Sequence, residues 1–91
     1  MKVIRISAMW CMSCLLMRPR WDKVFSDKNF EIIDYDYDLD HDQIVKYEVG
    51  KIIPVLIFLD ENDNEIKRII GEKKEKELEI IIGEINEKNI I

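Results

Sequence analysis

Residues that build disulfide scaffolds and metal sites are scarce: the 91-residue sequence contains two cysteines and one histidine. A disulfide between Cys11 and Cys14 would close a very short loop, which constrains the unfolded chain far less than a long-range crosslink does. A closed zinc site needs four ligands, and His41 is the single histidine available beside the two thiols. We therefore expect neither a disulfide-stapled fold nor a structural metal site, and we interpret His41 as a surface loop residue.

The sequence also lacks an excess of basic charge and any long hydrophobic run. Fourteen basic and nineteen acidic side chains leave a net charge of −5 at pH 7, which repels nucleic-acid phosphates and anionic lipid headgroups. No apolar run approaches the roughly 20 residues of a bilayer span, and the N-terminus lacks the apolar stretch of an export signal. The sequence therefore predicts a cytoplasmic protein that binds neither nucleic acid nor membranes.

The length limits the domain organisation. A second core of ordinary size would need roughly 100 additional residues, so residues 1–91 are expected to form one domain. Hydrophobic residues make up 47% of the chain, and in a chain this short most of them are needed for a single core.

Changes in hydrophobic period along the chain predict the order β-α-β-α-β-β-α. Runs rich in β-branched residues predict strands, and apolar residues spaced three and four apart predict helices. Pro19 lies inside the first helix, where it predicts a kink. Gly50 is predicted to end the second helix in a left-handed conformation. The predicted strands are 3–8, 30–35, 52–59 and 65–70, and the predicted helices are 12–26, 44–49 and 72–88.

This order predicts an α/β fold in which helices flank a four-stranded mixed sheet as a three-layer sandwich. The helices between strands are expected to make right-handed crossovers, so the first three strands should be parallel. The polar turn at residues 60–64 predicts a hairpin, which makes the fourth strand antiparallel to the third. The continuous apolar run in the third strand indicates a central position in the sheet.

Cys11 and Cys14 are three residues apart at the predicted start of the first helix. This spacing places both thiols on one face, near the unpaired backbone N–H groups of the helix start. A cysteine in this setting is partly ionised near neutral pH and can attack a disulfide of another protein. We predict that Cys11 is the nucleophile and that Cys14, one turn further, resolves the resulting mixed disulfide.

A metal-binding module is an alternative for the same two thiols, because thiolate pairs bind Cu(I) well. Small metallochaperones with a β-α-β-β-α-β fold also carry a Cys-X-X-Cys sequence in an early loop. That fold would end in a strand, whereas the segment 72–88 has a helical period, and it would not explain Ile53-Pro54.

Four features together resemble the thioredoxin family. They are Trp10-Cys11-Met12-Ser13-Cys14, Pro19 five residues after the second cysteine, Ile53-Pro54 opening a buried strand, and Gly71 before the last helix. The resemblance spans almost the whole chain but lacks the family's extra N-terminal strand and helix. It implies a thioredoxin-like fold, a cis Ile53–Pro54 peptide bond opposite the cysteines, and no metal or organic cofactor.

The resemblance also implies a substrate-binding surface. In the family, the backbone of the residue before the proline pairs with the substrate as a short added strand, and Ile53 has that position here. Trp10 and Met12, with Met9, are expected to form an apolar docking face with Ile53 and Pro54.

Three features depart from the family pattern. Met12-Ser13 stands between the cysteines instead of the Gly-Pro of typical thioredoxins, and two charged positions differ as well. Arg5 occupies the position, six residues before Cys11, where typical thioredoxins have a buried acid. Asp34 occupies a position where the family often has a lysine. We hypothesise that Arg5 and Asp34 form an inverted ion pair beneath the cysteines, since unpaired buried charges are costly; the alternative is that both point to solvent. Asp34 would then be a candidate acceptor for the proton of Cys14, although pairing with Arg5 would make it a weaker base.

The resemblance implies a thiol:disulfide oxidoreductase that reduces protein disulfides, acts as a monomer and is recharged by a reductase or another dithiol. A glutaredoxin-like reductase that uses glutathione is an alternative. That family usually has Thr-Val before its proline and Gly-Gly-X-Asp after the hairpin. The matching positions here are Ile52-Ile53 and Gly71-Glu72, so both signals are missing.

Overall fold

Helices cover both faces of a four-stranded sheet in the computed structural model, which describes residues 1–88. The strand order is β2-β1-β3-β4, with β1 and β2 parallel and the other neighbouring pairs antiparallel. The predicted three-layer α/β fold with a mixed sheet is thereby confirmed. The elements are β1 (Lys2–Ser7), α1 (Met12–Phe25), β2 (Glu31–Asp36), α2 (His41–Ile44), a 3₁₀ turn (Val45–Tyr47), β3 (Val55–Leu59), β4 (Glu65–Ile70) and α3 (Glu75–Lys88).

The direction of β3 differs from the prediction. Val55 pairs with Ile6 near the end of β1, and Leu59 pairs with Lys2 near its start, so β3 runs antiparallel to β1. The expectation of three parallel strands was wrong. A strand that is apolar throughout has the same pattern in both directions, so its sequence carries no signal for its orientation.

The connection between β2 and β3 explains this direction. After the 3₁₀ turn, Glu48 adopts a left-handed conformation (φ 52°), and the chain continues without regular structure to β3. The Tyr37 hydroxyl, next to the end of β2, donates a hydrogen bond to the Gly50 carbonyl (3.0 Å). The chain thus returns to the edge where β1 and β2 end. The predicted left-handed stop at Gly50 was wrong, because Glu48 makes that turn.

The apolar core lies on both sides of the sheet. One cluster is formed where α1 and α3 pack on the sheet, and it contains Trp21 and Phe58. The other lies on the face covered by α2 and contains Ile6, Cys11 and Cys14. All five residues of β3 are buried, which confirms its predicted central position. Among residues 1–88, no helix is both long and apolar enough to cross a bilayer.

Asp36 shapes the turn that follows β2, and we predict that it makes stability depend on pH. Its Oδ1 accepts hydrogen bonds from the N–H groups of Leu39 (2.9 Å) and Asp38 (2.8 Å). These two bonds lower the pKa of Asp36 from its usual 3.8. A carboxyl whose pKa is lower in the folded state stabilises the fold above its unfolded pKa, and this contribution is lost as the pH falls through the folded value.

Asp36→Asn should therefore lower the free energy of unfolding at pH 7, and the difference from the wild type should shrink below about pH 4. Urea unfolding at pH 7, 4.5 and 3 measures this difference. Asp42→Asn is the matched control, because it removes an equal charge from the neighbouring helix α2. A difference from the wild type that stays constant over this pH range would contradict the prediction.

Candidate active site

The first turn of α1 presents the two cysteines. Cys11 is the N-cap residue, and its Sγ accepts a hydrogen bond from the Cys14 backbone N–H (3.1 Å). A backbone donor that helix geometry leaves unpaired is thus directed at the sulfur, where it stabilises negative charge. Cys11 is 7% exposed and Cys14 is fully buried. Cys11 is therefore the more accessible of the two cysteines.

The loop before β3 lies opposite Cys11. The Ile53–Pro54 peptide bond is cis, as the family resemblance implied, and the Ile53 carbonyl oxygen is 3.8 Å from Cys11 Sγ. The Pro54 carbonyl accepts a hydrogen bond from the Gly71 N–H (2.8 Å). Gly71 has a φ of 86°, a conformation that favours glycine. The residue after β4 therefore holds this loop in place beside Cys11.

The environment of Cys14 favours its protonated form. Burial and a hydrogen bond with Cys11 raise the pKa of Cys14 well above its ordinary value, while the backbone at Ala8 and the charge of Arg18 act in the opposite direction. A protonated, buried thiol is a poor nucleophile. Cys14 is therefore unsuited to make the first attack on a disulfide of another molecule.

Trp10 lies beside the cysteines and is held at both ends of its indole ring. Its Nε1 donates a hydrogen bond to Asp38 Oδ2 (2.6 Å), and its ring meets Tyr37 edge to face with centroids 6.2 Å apart. The side chain is nevertheless 63% exposed. Trp10 thus presents an apolar ring at the surface in a defined orientation.

Further apolar side chains are exposed in the segments that flank the thiol pair. Met9 is 81% exposed, Met12 71% and Ile52 64%. These side chains belong to the loop before α1, its first residue and the loop before β3. Ile53, which the sequence placed on the same face, is itself buried and offers its backbone rather than its side chain.

Arg5 and Asp34 form an ion pair, as hypothesised, but the Asp34 side chain is 60% exposed, and the further contacts of Arg5 are with α1 residues beyond the cysteines. Arg5 Nε donates to Asp34 Oδ1 (2.6 Å), and Arg5 Nη2 donates to Asp34 Oδ2 (2.9 Å). Arg5 Nη1 also donates to Asp22 of α1 (3.2 Å), and the guanidinium lies 5.6 Å from the centre of the Trp21 ring. Burial lowers the pKa of Arg5, but the bonds to Asp34 and Asp22 outweigh this effect and raise it.

The sequence analysis missed three contributors to this region. Asp38 was one acid among many in a loop interpreted as solvated, so nothing distinguished it as the partner of Trp10. Ser7 and Arg18 were not singled out either, yet Arg18 Nη2 donates to Ser7 Oγ (2.9 Å) close to Cys14. One signal for Arg18 was available, since a residue four positions after Cys14 lies on the same helix face.

The described part of the chain offers little to a metal ion beyond the thiol pair. In residues 1–88, no group of three or more His, Cys, Asp or Glu side chains is arranged to hold one. The last described element is the helix α3. The alternative metallochaperone fold would have ended in a strand.

The protein has a mixed β-sheet flanked by helices, with a Cys-X-X-Cys sequence at the start of α1 opposite a cis-proline loop. This arrangement defines a dithiol protein of the thioredoxin-fold class. The thioredoxin family model matches residues 1–84. The chain therefore belongs to the thioredoxin family.

Individual relatives agree with this assignment. The chain is 29% identical over 79 residues to mitochondrial thioredoxin of Bos taurus, covering 85% of this chain and 46% of the relative. The chain thus spans about half the length of the curated relatives it matches. Thioredoxin 1 of Thermosipho africanus superposes with a TM-score of 0.85 at 22% identity over the whole of both chains. Reduced Schistosoma mansoni thioredoxin pre-protein superposes with a TM-score of 0.79 at 19% identity, over 91% of this chain and 76% of the other.

Proposed function

We propose that this protein is a thiol:disulfide oxidoreductase that reduces disulfides in other proteins through Cys11 and Cys14. The observation that carries the proposal is the placement of Cys11 Sγ, which accepts a helix-start N–H at 3.1 Å and faces the Ile53 carbonyl at 3.8 Å. The first contact activates the sulfur. The second places a backbone hydrogen-bonding edge beside it, where an extended substrate chain can bind as an added strand.

The proposed reaction has two exchange steps. The Cys11 thiolate attacks one sulfur of the substrate disulfide, forming a mixed disulfide and releasing a substrate thiolate that takes up a proton. Cys14 then loses its proton and attacks Cys11 Sγ, which forms the Cys11–Cys14 disulfide and releases the second substrate thiol. The protein dithiol gives up two electrons and two protons, and the substrate disulfide receives them.

The exposed apolar side chains give the proposal a docking surface. Trp10, Met12 and Met9 lie on the α1 side of the thiol pair, and Ile52 lies on the side of the cis-proline loop. Apolar contacts on both sides, with backbone pairing at Ile53, suit a disulfide within an extended protein segment better than a small polar thiol.

Insulin reduction with dithiothreitol as the recharging dithiol tests this function. We expect the protein to accelerate precipitation of the insulin B chain, and we expect little reduction of a small glutathione mixed disulfide. The reverse pattern would favour the glutaredoxin-like alternative. An anaerobic Cu(I) titration of the reduced protein tests the metal-binding alternative, which requires stoichiometric binding without insulin reduction.

The cellular setting belongs to the same proposal. The protein is proposed to act as a monomer on disulfide-containing proteins and to be recharged by a reductase or another dithiol. We propose a cytoplasmic location, because a cycling dithiol with no structural disulfide suits a reducing compartment. Sedimentation analysis and cell fractionation test these points.

The role of Asp34 as proton acceptor stays a prediction, and Asp34→Asn tests it. Asparagine keeps an oxygen that accepts a hydrogen bond from Arg5 but takes up no proton near neutral pH. If Asp34 accepts the proton of Cys14, the variant should slow the second exchange step at pH 7 by roughly a hundredfold and change its pH profile. The matched control is Asp22→Asn, which alters the other acid bonded to Arg5. An unchanged pH profile in Asp34→Asn would remove this role.

A further inference from the structure

Arg18 is the cationic residue of α1 that is nearest in sequence to Cys14. It lies four residues, about one helical turn, after Cys14 on α1, so both side chains are on the same helix face. Its Nη2 donates a hydrogen bond of 2.9 Å to Ser7 Oγ, and Ser7 is a buried residue, 4% exposed, at the end of β1. The guanidinium is therefore anchored at the end of β1, on the helix face that also carries Cys14.

A second observation locates the Arg18 charge. Ser7, which accepts the hydrogen bond from Arg18, pairs with Asp36 of β2 in the sheet. The guanidinium therefore lies near the ends of β1 and β2, at the edge of the sheet where α1 begins. Arg18 is exposed as a residue, and its bond to the buried Ser7 directs the guanidinium toward the end of β1.

The acid predicted to accept the proton of Cys14, Asp34, is itself paired with Arg5. Asp34 accepts hydrogen bonds from Arg5 on both carboxylate oxygens, and the cis-proline segment Ile53-Pro54 carries no charged side chain. Besides Cys11, the charged and titratable side chains of the elements packed around Cys14 are Arg18, Arg20, Asp22 and Lys23 of α1, Lys2 and Arg5 of β1, Glu31, Asp34, Tyr35 and Asp36 of β2, and His41 and Asp42 of α2. Lys73 lies before α3, and its Nζ donates to the Ile70 carbonyl.

We propose that Arg18 is a positioning residue that stabilises the thiolate of Cys14 in the second exchange step, with Ser7 holding its guanidinium in place. The proposal rests on the proposed dithiol function. A nearby positive charge favours the charged form of a thiol, and Arg18 opposes the effect of burial on the pKa of Cys14. Cys14 gives up its proton to solvent or to Asp34, whose role the Asp34→Asn variant tests. Its thiolate attacks Cys11 Sγ, and the substrate sulfur leaves and takes up a proton.

The test separates the two exchange steps with the neutral disulfide 4,4′-dithiodipyridine in a stopped-flow experiment. The first release of thiopyridone reports the attack of Cys11, and its rate rises with reagent concentration. The second release reports the attack of Cys14 on the mixed disulfide and is independent of concentration. A parallel NMR titration of the cysteine ¹³Cβ signals of the reduced protein follows ionisation of Cys14 directly.

In Arg18→Gln, the rate of the first phase should stay within about twofold of the wild-type rate, and the rate of the second phase at pH 7 should fall. Each unit of rise in a thiol pKa lowers the thiolate fraction tenfold and raises its intrinsic nucleophilicity about threefold, so the second phase should slow roughly threefold per unit. The Cys14 titration should move to higher pH. Arg18→Lys, which keeps the charge, should restore most of the rate and of the titration.

Two further variants complete the test. Lys23→Gln removes an equal charge from an exposed position later on α1 and should change neither phase. Ser7→Ala keeps the charge of Arg18 but removes its anchor, so it should slow the second phase less than Arg18→Gln does. If Arg18→Gln does not fold, Ser7→Ala still tests the proposal.

The proposal would be overturned if Arg18→Gln left the second phase and the Cys14 titration unchanged, or if Arg18→Lys behaved like Arg18→Gln. Absence of a second phase in the wild-type protein would instead refute the proposed dithiol function. The NMR titration would still report whether Arg18 acts on Cys14.

Discussion

Cys11→Ser should abolish insulin reduction, with a loss of at least about a thousandfold, because a serine hydroxyl does not attack a disulfide near neutral pH. Cys14→Ser should behave differently. It should still form the mixed disulfide through Cys11 but should not resolve it, because the second nucleophile is missing. The insulin assay measures the first effect, and mass spectrometry of the protein after exposure to a peptide disulfide measures the second.

Ser13→Ala is the matched control for both substitutions. It changes a residue between the two cysteines and leaves both thiols in place, so activity should stay within about twofold of the wild type. The assignment of roles would be contradicted by activity in Cys11→Ser. It would also be contradicted if Cys11→Ser, rather than Cys14→Ser, accumulated the covalent adduct.

The second large effect is expected in the core. Phe58 in β3 is completely buried, and its ring lies 5.7 Å from Phe30 and 6.2 Å from Phe25, measured between ring centroids. Phe58→Ala would leave a cavity where β3 packs on the C-terminal end of α1. We expect a loss of about 3–5 kcal/mol in the free energy of unfolding, which is a large part of the roughly 5–15 kcal/mol that a domain has.

Urea unfolding followed by tryptophan fluorescence measures this loss. The comparison variant is Ile66→Ala in β4, where the side chain is 36% exposed; its cost should be about 1 kcal/mol or less. Similar losses in the free energy of unfolding for the two variants would contradict the assignment of Phe58 to the core and of Ile66 to the surface. The loss of packing in Phe58→Ala should also disturb the active site, because α1 carries Cys14 and β3 follows the cis-proline loop.

Much of the site could be predicted because its residues are close in sequence. Cys11 and Cys14 share one helical turn, so their spacing already indicated that the thiols are neighbours and that the first caps the helix. The hypothesised pair of Arg5 and Asp34 depended on two adjacent strands being parallel. The register, in which Arg5 lies directly opposite Asp34, brings the two side chains together.

Other parts of the site could not be predicted, because they depend on the path of the loops after β2 and before β3. Nothing in the acidic run after β2 marked Asp38 as the partner of Trp10, because neighbouring acids have the same composition signal. Ile52 appeared to be part of a buried strand, but β3 begins only at Val55 and Ile52 is exposed in the preceding loop. A loop and a strand end can share one apolar run, so periodicity did not separate them.

The amino-acid sequence by itself thus determined the local features of the protein. These are the helical turn with two thiols, the order of strands and helices, and the apolar strand at the centre of the sheet. Only the tertiary structure decided that β3 runs antiparallel to β1, that Asp38 binds the indole of Trp10, and that Arg18 and Ser7 meet beside Cys14. The physical reason is that helical spacing and hydrophobic period are properties of neighbouring residues. The direction of a buried strand and the partner of a charged side chain are instead selected by how distant segments pack.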